Sequence, residues 1–396
     1  MLASIRASEA GGAVTVLDPN ERLGKKLNIT GKGRCNLTND AELETVLSQI
    51  PRNGRFLYSA LARFGPREVM SFFEGLGVPL TVERGNRVFP ASGRAFDVSA
   101  ALERRMKQLG VRWIRDQALA VETDAGKVTA VRGAQDTYPA EAVILATGGV
   151  SYPATGSTGE GHRIARELGH TVTPLRGSLV PLCERGNQCA RMQGLSLRNV
   201  RLTAFEDGKP VYEGFGELLF THFGVSGPLV LSASAHLEDF SAHPCRLELD
   251  LKPALDQAVL DRRLVSDLRK YANSDFQNAL NDLLPRKLIP VLVDLSGVPP
   301  EEKAHDITRA QRKRVLSLLK GFPIELAGRR SVAEAVVTAG GVAVSEVSPK
   351  TMESKLVKGL YFAGELLDLD AYTGGFNLQI AWSTGNAAGL AAAGDT

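Results

Sequence analysis

Apolar residues at the start of the chain fall on one helix face, and their spacing predicts a short helix over residues 2–10, stopped by Gly11 and Gly12. Residues 13–18 then read as a buried strand that ends in an acid, Asp18. A glycine-rich, basic stretch follows from Leu23 to Asn39, and helical patterns recur near 54–64, 66–76 and 97–109. Short strands are expected between 111 and 133, with a turn at 124–127. An apolar strand at 142–147 runs into Gly148 and Gly149, and a helix over 161–168 ends at Gly169.

The pattern changes after about Arg176. Alternating strands at 197–205, 210–215 and 246–251 precede a charged helical stretch, 256–322, broken at Pro299 and Pro300. The end returns to a strand at 360–364, a loop, and a small-residue helix from Gly375. The expected fold class is α/β, with residues 1–176 and 333–396 forming one discontinuous domain and residues 177–332 an inserted β-rich and helical domain.

Composition narrows the function. The 396 residues call for two or three domains, and 43% hydrophobic with 23% charged residues is ordinary for a soluble chain. The 47 basic and 44 acidic residues leave a formal charge of +3, too slight for a nucleic-acid or anionic-membrane footprint. No apolar run approaches the ~18 residues of a membrane span, and no signal-peptide cleavage pattern follows the start. A cytoplasmic protein with a small-molecule substrate and neither nucleic-acid nor membrane partners is expected. Cys35, Cys183, Cys189 and Cys245 form no CxxC pair and have no metal-like histidine spacing, so free thiols and no metal are expected.

In a dinucleotide-binding βαβ unit, an acid at the end of the second strand accepts hydrogen bonds from the adenosine ribose. Asp18 stands at such a position, although an acid there, taken alone, is more often a solvated strand end. The glycine turn of the unit sits roughly 20 residues earlier, which places it and the first strand upstream of Met1. Gly31 and Gly33 allow close backbone approach while Lys32 and Arg34 add charge, giving either a pyrophosphate cradle or a solvated basic loop. The strand-to-glycine turn at Ala146–Gly149 suits nucleotide contact, and the helix after Ser157 offers amides to an anion or to a simple cap. The strongest local signal is residues 361–379: strand, acidic loop, Gly374-Gly375 turn and helix, whose first amides suit a flavin carbonyl that gains charge on reduction.

Four segments carry a resemblance: ERLGKKLNITGKGRCNLTN (21–39), ILATGGVSYPATGSTGEGHRIA (144–165), GELLFTHFGVSGPLVLS (216–232) and GLYFAGELLDLDAYTGGFNLQIAWSTG (359–385). Together, in this order, they resemble the bacterial FAD flavoproteins of the BaiN/aminoacetone-oxidase family across essentially the whole chain. More distantly, the ATGG and TGEG pieces resemble fumarate-reductase and aspartate-oxidase flavoproteins. The resemblance implies a discontinuous Rossmann-like FAD/NAD(P)-binding domain of the glutathione-reductase and fumarate-reductase type, with an insertion over the flavin. It implies that Asp18 holds the adenosine ribose, and that Thr30, Gly31, Gly33, Arg34, Cys35 and Asn36 line the pyrophosphate and flavin side. Gly364 and Glu365 would meet the ribityl-pyrophosphate region, and Gly374, Gly375, Phe376, Asn377, Leu378 and Gln379 the pyrimidine edge. Lys25, Thr147, Gly148 and Gly149 complete the candidate cofactor set. Family members normally begin with a strand and a GGGxxG-type turn upstream of the position of Met1, and a late start is the expected cause of that departure.

The expected chemistry is hydride transfer between a small organic substrate and FAD. An amine or aminoketone oxidase would return the electrons to oxygen. A reductase would take them from NAD(P)H, docking transiently, and pass them to an unsaturated or keto substrate. A third reading is a truncated, flavin-free product without enzymatic activity. His222 is a candidate proton carrier because histidine titrates near neutrality, with a hydrogen-bonded structural role as the alternative. Tyr372, in the glycine-rich flavin-side motif, is a second candidate, with packing as its alternative.

Overall fold

Two parallel strand pairs carry the mononucleotide-like part of the chain. Thr15–Leu17 pairs with Arg112–Ile114, and Val143–Leu145 pairs with Leu360–Phe362. The second pair joins segments far apart in sequence, so the chain must leave this layer and return. In the computed structural model, which describes residues 1–237, 240 and 242–395, the departure and return separate two units: Met1–Ser178 with Val332–Thr396, and Leu179–Ser331.

In the first unit the helix Phe376–Ala392 is the central element. Small residues bury it on nearly every side, and the first helix, Leu2–Glu9, packs along it. Gly389 permits that approach, since a Cβ there would lie 2.4 Å from the Ala3 carbonyl oxygen. Val143, Leu145, Leu360 and Phe362 on the strands join Ile380, Ala387 and Ala388 of the helix in one core. An antiparallel meander follows, Ala118–Asp124, Lys127–Gly133 and Thr137–Pro139. The expected run of short strands at 111–133 thus splits: its first member belongs to the parallel pair instead. The glycine-rich, basic stretch 23–39 ends in Thr38–Asn39, which pairs with Arg87–Pro90 and so joins the Leu80–Glu83 hairpin.

The second unit closes six strands into a barrel, in the neighbour order Leu182–Glu184, Gly224–Ser226, Lys209–Thr221, Ser196–Glu206, Cys245–Asp250 and Phe322–Arg329. Alternation sets the inward face: Cys245, Leu247 and Leu249 are buried while their sequence neighbours are half-exposed. Closure removes free sheet edges. The strand expected at 210–215 is longer than its apolar pattern, because Lys209–Thr221 pairs with Ser196–Glu206 and bends past them to Gly224–Ser226. The charged stretch 256–322 resolves into separate helices, chiefly Gln257–Lys270, Ile289–Ser296 and Arg309–Lys320. Asp256 caps the first through a 2.7 Å bond from the Val259 N–H, and Thr308 and Gln311 form a capping box on the last.

Candidate functional site

The parallel strands deliver three loops of the first unit at their carboxyl ends, where open α/β sheets bind ligands. Asp18 follows Leu17 directly. Its Oδ1 accepts from the Asn20 N–H and the Asn20 side-chain amide, at 2.8 and 2.9 Å, and that amide also donates to the Thr155 carbonyl at 3.1 Å. Asp18 is therefore half-buried and held by a turn that also reaches the loop after Val143–Leu145.

The other two loops meet at a polar hub. Glu365 lies in the turn Gly364–Leu366, just past the strand Leu360–Phe362. Its Oε1 accepts from the Thr338 N–H at 2.8 Å and the Ser151 hydroxyl at 3.1 Å. Thr338 Oγ1 in turn accepts from the Val150 and Ser151 N–H groups, which fixes the chain just after Gly148 and Gly149. Lys26 Nζ donates to Glu365 Oε2 at 2.6 Å, to Ser151 Oγ at 3.0 Å and to Ser157 Oγ at 3.2 Å. The sequence pattern pointed to Lys25, which is exposed; its neighbour Lys26 is the lysine that faces inward. Lys26, Ser151 and Thr338 were not singled out from the sequence, and Ser157, expected near a helix start, does not cap that helix but accepts from Lys26. Ser151 and Ser157 sit inside the ATGG/TGEG segment and were within reach, whereas Thr338 lies in a stretch with no motif.

Residues 30–36 form a tight turn: Thr30 Oγ1 donates to the Leu27 carbonyl at 2.6 Å, and the Cys35 N–H donates to the Thr30 carbonyl at 3.0 Å. Gly31, Lys32 and Gly33 take consecutive positive φ of 56°, 58° and 83°, and all three are exposed, a backbone able to face an anion. Arg34 does not extend that positive surface freely. Its guanidinium pairs with Glu83 and lies 4.3 Å from the Phe89 ring centroid. Cys35 is fully buried, and burial pushes its thiol up to about 12, so it stays protonated and unreactive near neutrality. All four cysteines are free.

The Gly374-Gly375 turn opens the long helix beside Thr38. Gly375 has φ 102°, and a Cβ there would meet the Thr38 carbonyl oxygen at 2.3 Å. Asn36, with its amide in the orientation that satisfies both ends, accepts from the Gly375 N–H at 3.0 Å and donates to the Thr38 carbonyl at 3.1 Å. Gln379 and Asn377 serve the scaffold. Gln379 is wholly buried and bonds to Thr38, Phe64 and Ser383, while Asn377 closes a ring of hydrogen bonds with Ala371. Phe376 is buried and Leu378 half-buried. The first-turn N–H groups of Phe376, Asn377 and Leu378 have no acceptor among the described residues, so the helix presents amides and a positive dipole end.

Tyr372 is half-buried in the loop before this turn, where its N–H donates to the Gln49 carbonyl at 3.0 Å. His222 belongs to the other unit, exposed in the turn between Lys209–Thr221 and Gly224–Ser226, with its ring edge-on to Phe223 at 5.0 Å. Thr147 is exposed at the end of its strand, and Gly364 is buried, its N–H held by Thr384 Oγ1 at 2.9 Å. Among the described residues no group of three or more His, Cys, Asp or Glu is arranged to hold a metal, and no helix is long and apolar enough to cross a membrane.

These residues fit FAD. The open helix terminus at Gly375–Leu378 matches the electron-rich carbonyl edge of a flavin, the exposed glycine backbone at 31–33 matches a pyrophosphate, and Asp18 matches a ribose. Comparison with known proteins gives the family. The family model described as HI0933-like protein Rossmann domain matches residues 1–391. The chain is 33% identical over 401 residues to a 3-dehydro-bile acid delta(4,6)-reductase of Clostridium scindens, covering 99% of this chain and 96% of that protein. It is 31% identical over 397 residues to a ribosomal RNA dihydrouridine synthase of Haemophilus influenzae, covering 98% and 95%. A solved structure of 3-ketosteroid-delta4-(5alpha)-dehydrogenase from Rhodococcus jostii RHA1 shares the fold, with a TM-score of 0.51 at 15% identity over 99% of this chain and 94% of the other. The chain belongs to the HI0933-like family, and it is an FAD-dependent oxidoreductase on a Rossmann-type fold.

Proposed function

We propose that the chain reduces a carbon–carbon double bond conjugated to a carbonyl in a small organic substrate, with NAD(P)H as the electron source. One observation carries this reading. Two relatives similar over nearly the whole chain are named for reactions on different molecules, yet both names describe the same change. A 3-oxo compound with delta(4,6) unsaturation and a uracil ring each hold a double bond beside a carbonyl, and each is saturated. FAD, when bound, would supply two-electron hydride chemistry; the substrate's β-carbon would receive a hydride that originates in the nicotinamide, and its α-carbon a proton.

The chain's own groups support that use. The open amides of Phe376, Asn377 and Leu378 favour negative charge at the site they face. Asn36, Thr38 and Gln379 hold those amides in place. Tyr372, in the loop just before that helix, is the candidate to hold the proton. Turnover assays separate this reading from an oxidase. Purified protein with FAD, NADPH and a cyclic enone, without oxygen, should consume NADPH and yield the saturated ketone. Peroxide formation from an aminoketone in air, with no enone reduction, would establish the oxidase instead. Reduction of uridine in RNA but of no free enone would move the substrate class to nucleic acid.

A further inference from the structure

We propose that Lys26 is a positioning residue whose charge lets the Glu365 carboxylate stand at the rim of a site for an anionic cofactor. The proposal rests on the FAD reading above. It concerns a contact within the protein, not a ligand contact of Lys26.

Glu365 poses an electrostatic problem. It follows directly on a parallel strand, at the end of the sheet where the cofactor is expected, and its side chain is only 16% exposed. A carboxylate there opposes the approach of a pyrophosphate, which carries two negative charges. Yet its hydrogen bonds explain its presence, because Oε1 organises the Thr338 N–H and the Ser151 hydroxyl and so fixes the glycine loop at 148–151. The loop geometry therefore needs the carboxylate's oxygens, and the cofactor is repelled by its charge.

Lys26 resolves the conflict. Its ammonium lies 2.6 Å from Glu365 Oε2, and its remaining donors go to Ser151 Oγ, at 3.0 Å, and Ser157 Oγ, at 3.2 Å. An ammonium has three donors, and all three are directed at protein acceptors, which leaves none for a phosphate oxygen. Neutralisation is thus the contribution the geometry assigns to it. At the short range of this pair, in a partly buried setting, a unit charge alters the local field strongly, whereas exposed Lys25 is screened by water. A purely structural staple would predict that losing either partner costs affinity and that removing the second restores none of it. Charge compensation predicts the reverse.

Four proteins decide between these: wild type, Lys26→Met, Glu365→Gln and the double variant. FAD dissociation constants come from quenching of flavin fluorescence, and folding is checked by melting. Charge compensation predicts that Lys26→Met weakens FAD binding about tenfold or more, most at low salt. The double variant should return to within about threefold of wild type, since the substituted amide would keep the acceptor oxygen without the charge. Should Lys26→Met alone fail to fold, the folded double variant carries the test, and near-normal FAD affinity supports the proposal. Unchanged affinity in Lys26→Met, or a folded double variant that binds FAD no better than Lys26→Met, would overturn it. A folded wild type that binds no FAD would overturn the cofactor assignment and this proposal with it.

Discussion

The buried amide of Gln379 and the hydroxyl of Thr38, 341 positions apart in sequence, meet at 2.5 Å. Through Nε2 the same amide donates to the Phe64 carbonyl at 3.0 Å and to Ser383 at 2.9 Å. The first turn of the helix Phe376–Ala392 is thereby anchored to the segment that also carries Asn36. Gln379→Leu removes these partners and leaves the Thr38 hydroxyl unpaired in the interior. It should destabilise the protein by about 2–4 kcal/mol, measured by chemical denaturation. FAD affinity should fall with it, because the helix start is no longer held.

Gly375 is constrained twice, by φ of 102° and by the Thr38 carbonyl oxygen 2.3 Å from where a Cβ would stand. Gly375→Ala should weaken FAD binding more than it lowers the melting temperature, because the strain falls on the loop that presents the amides. Flavin retained through gel filtration by the variant as by wild type would count against the placement of the flavin edge here.

His162 is fully buried, and burial, reinforced by Arg166, holds its pKa down to about 4 from 6.5. The unfolded chain takes up the proton near 6.5 while the folded chain does not until about 4. Its contribution is therefore fully present above pH 6.5 and is lost as pH falls from there towards 4. Denaturation midpoints of wild type should drop between pH 7 and 5 more steeply than those of His162→Phe. Parallel curves would show that this imidazole does not take part in acid unfolding.

The backbone turns were legible in the sequence because glycine marks positions that need a positive φ or a close approach. The 31–33 turn and Gly374-Gly375 show by residue type alone, whereas Asp18 by itself reads only as a polar strand end. What remained hidden depends on long-range geometry. Lys25 and Lys26 are the same residue type side by side, and only the path of the chain turns one outward and the other onto Glu365. Gln379 reads as a ligand group by its polarity, yet tertiary packing puts it wholly inside. Barrel closure in 179–331 was likewise hidden, since alternation marks a strand's faces but not its neighbours. Arg34 adds charge to a motif on paper, but Glu83 and Phe89, from a hairpin some fifty positions away, hold its guanidinium.

Flavin absorbance followed in anaerobic rapid mixing tests the central claim most directly. The protein reconstituted with FAD should lose its oxidised flavin absorbance on mixing with NADPH, stay reduced without oxygen, and recover it when a cyclic enone is added. Absorbance that NADPH leaves unchanged, but that an aminoketone bleaches and only oxygen restores, would contradict the account.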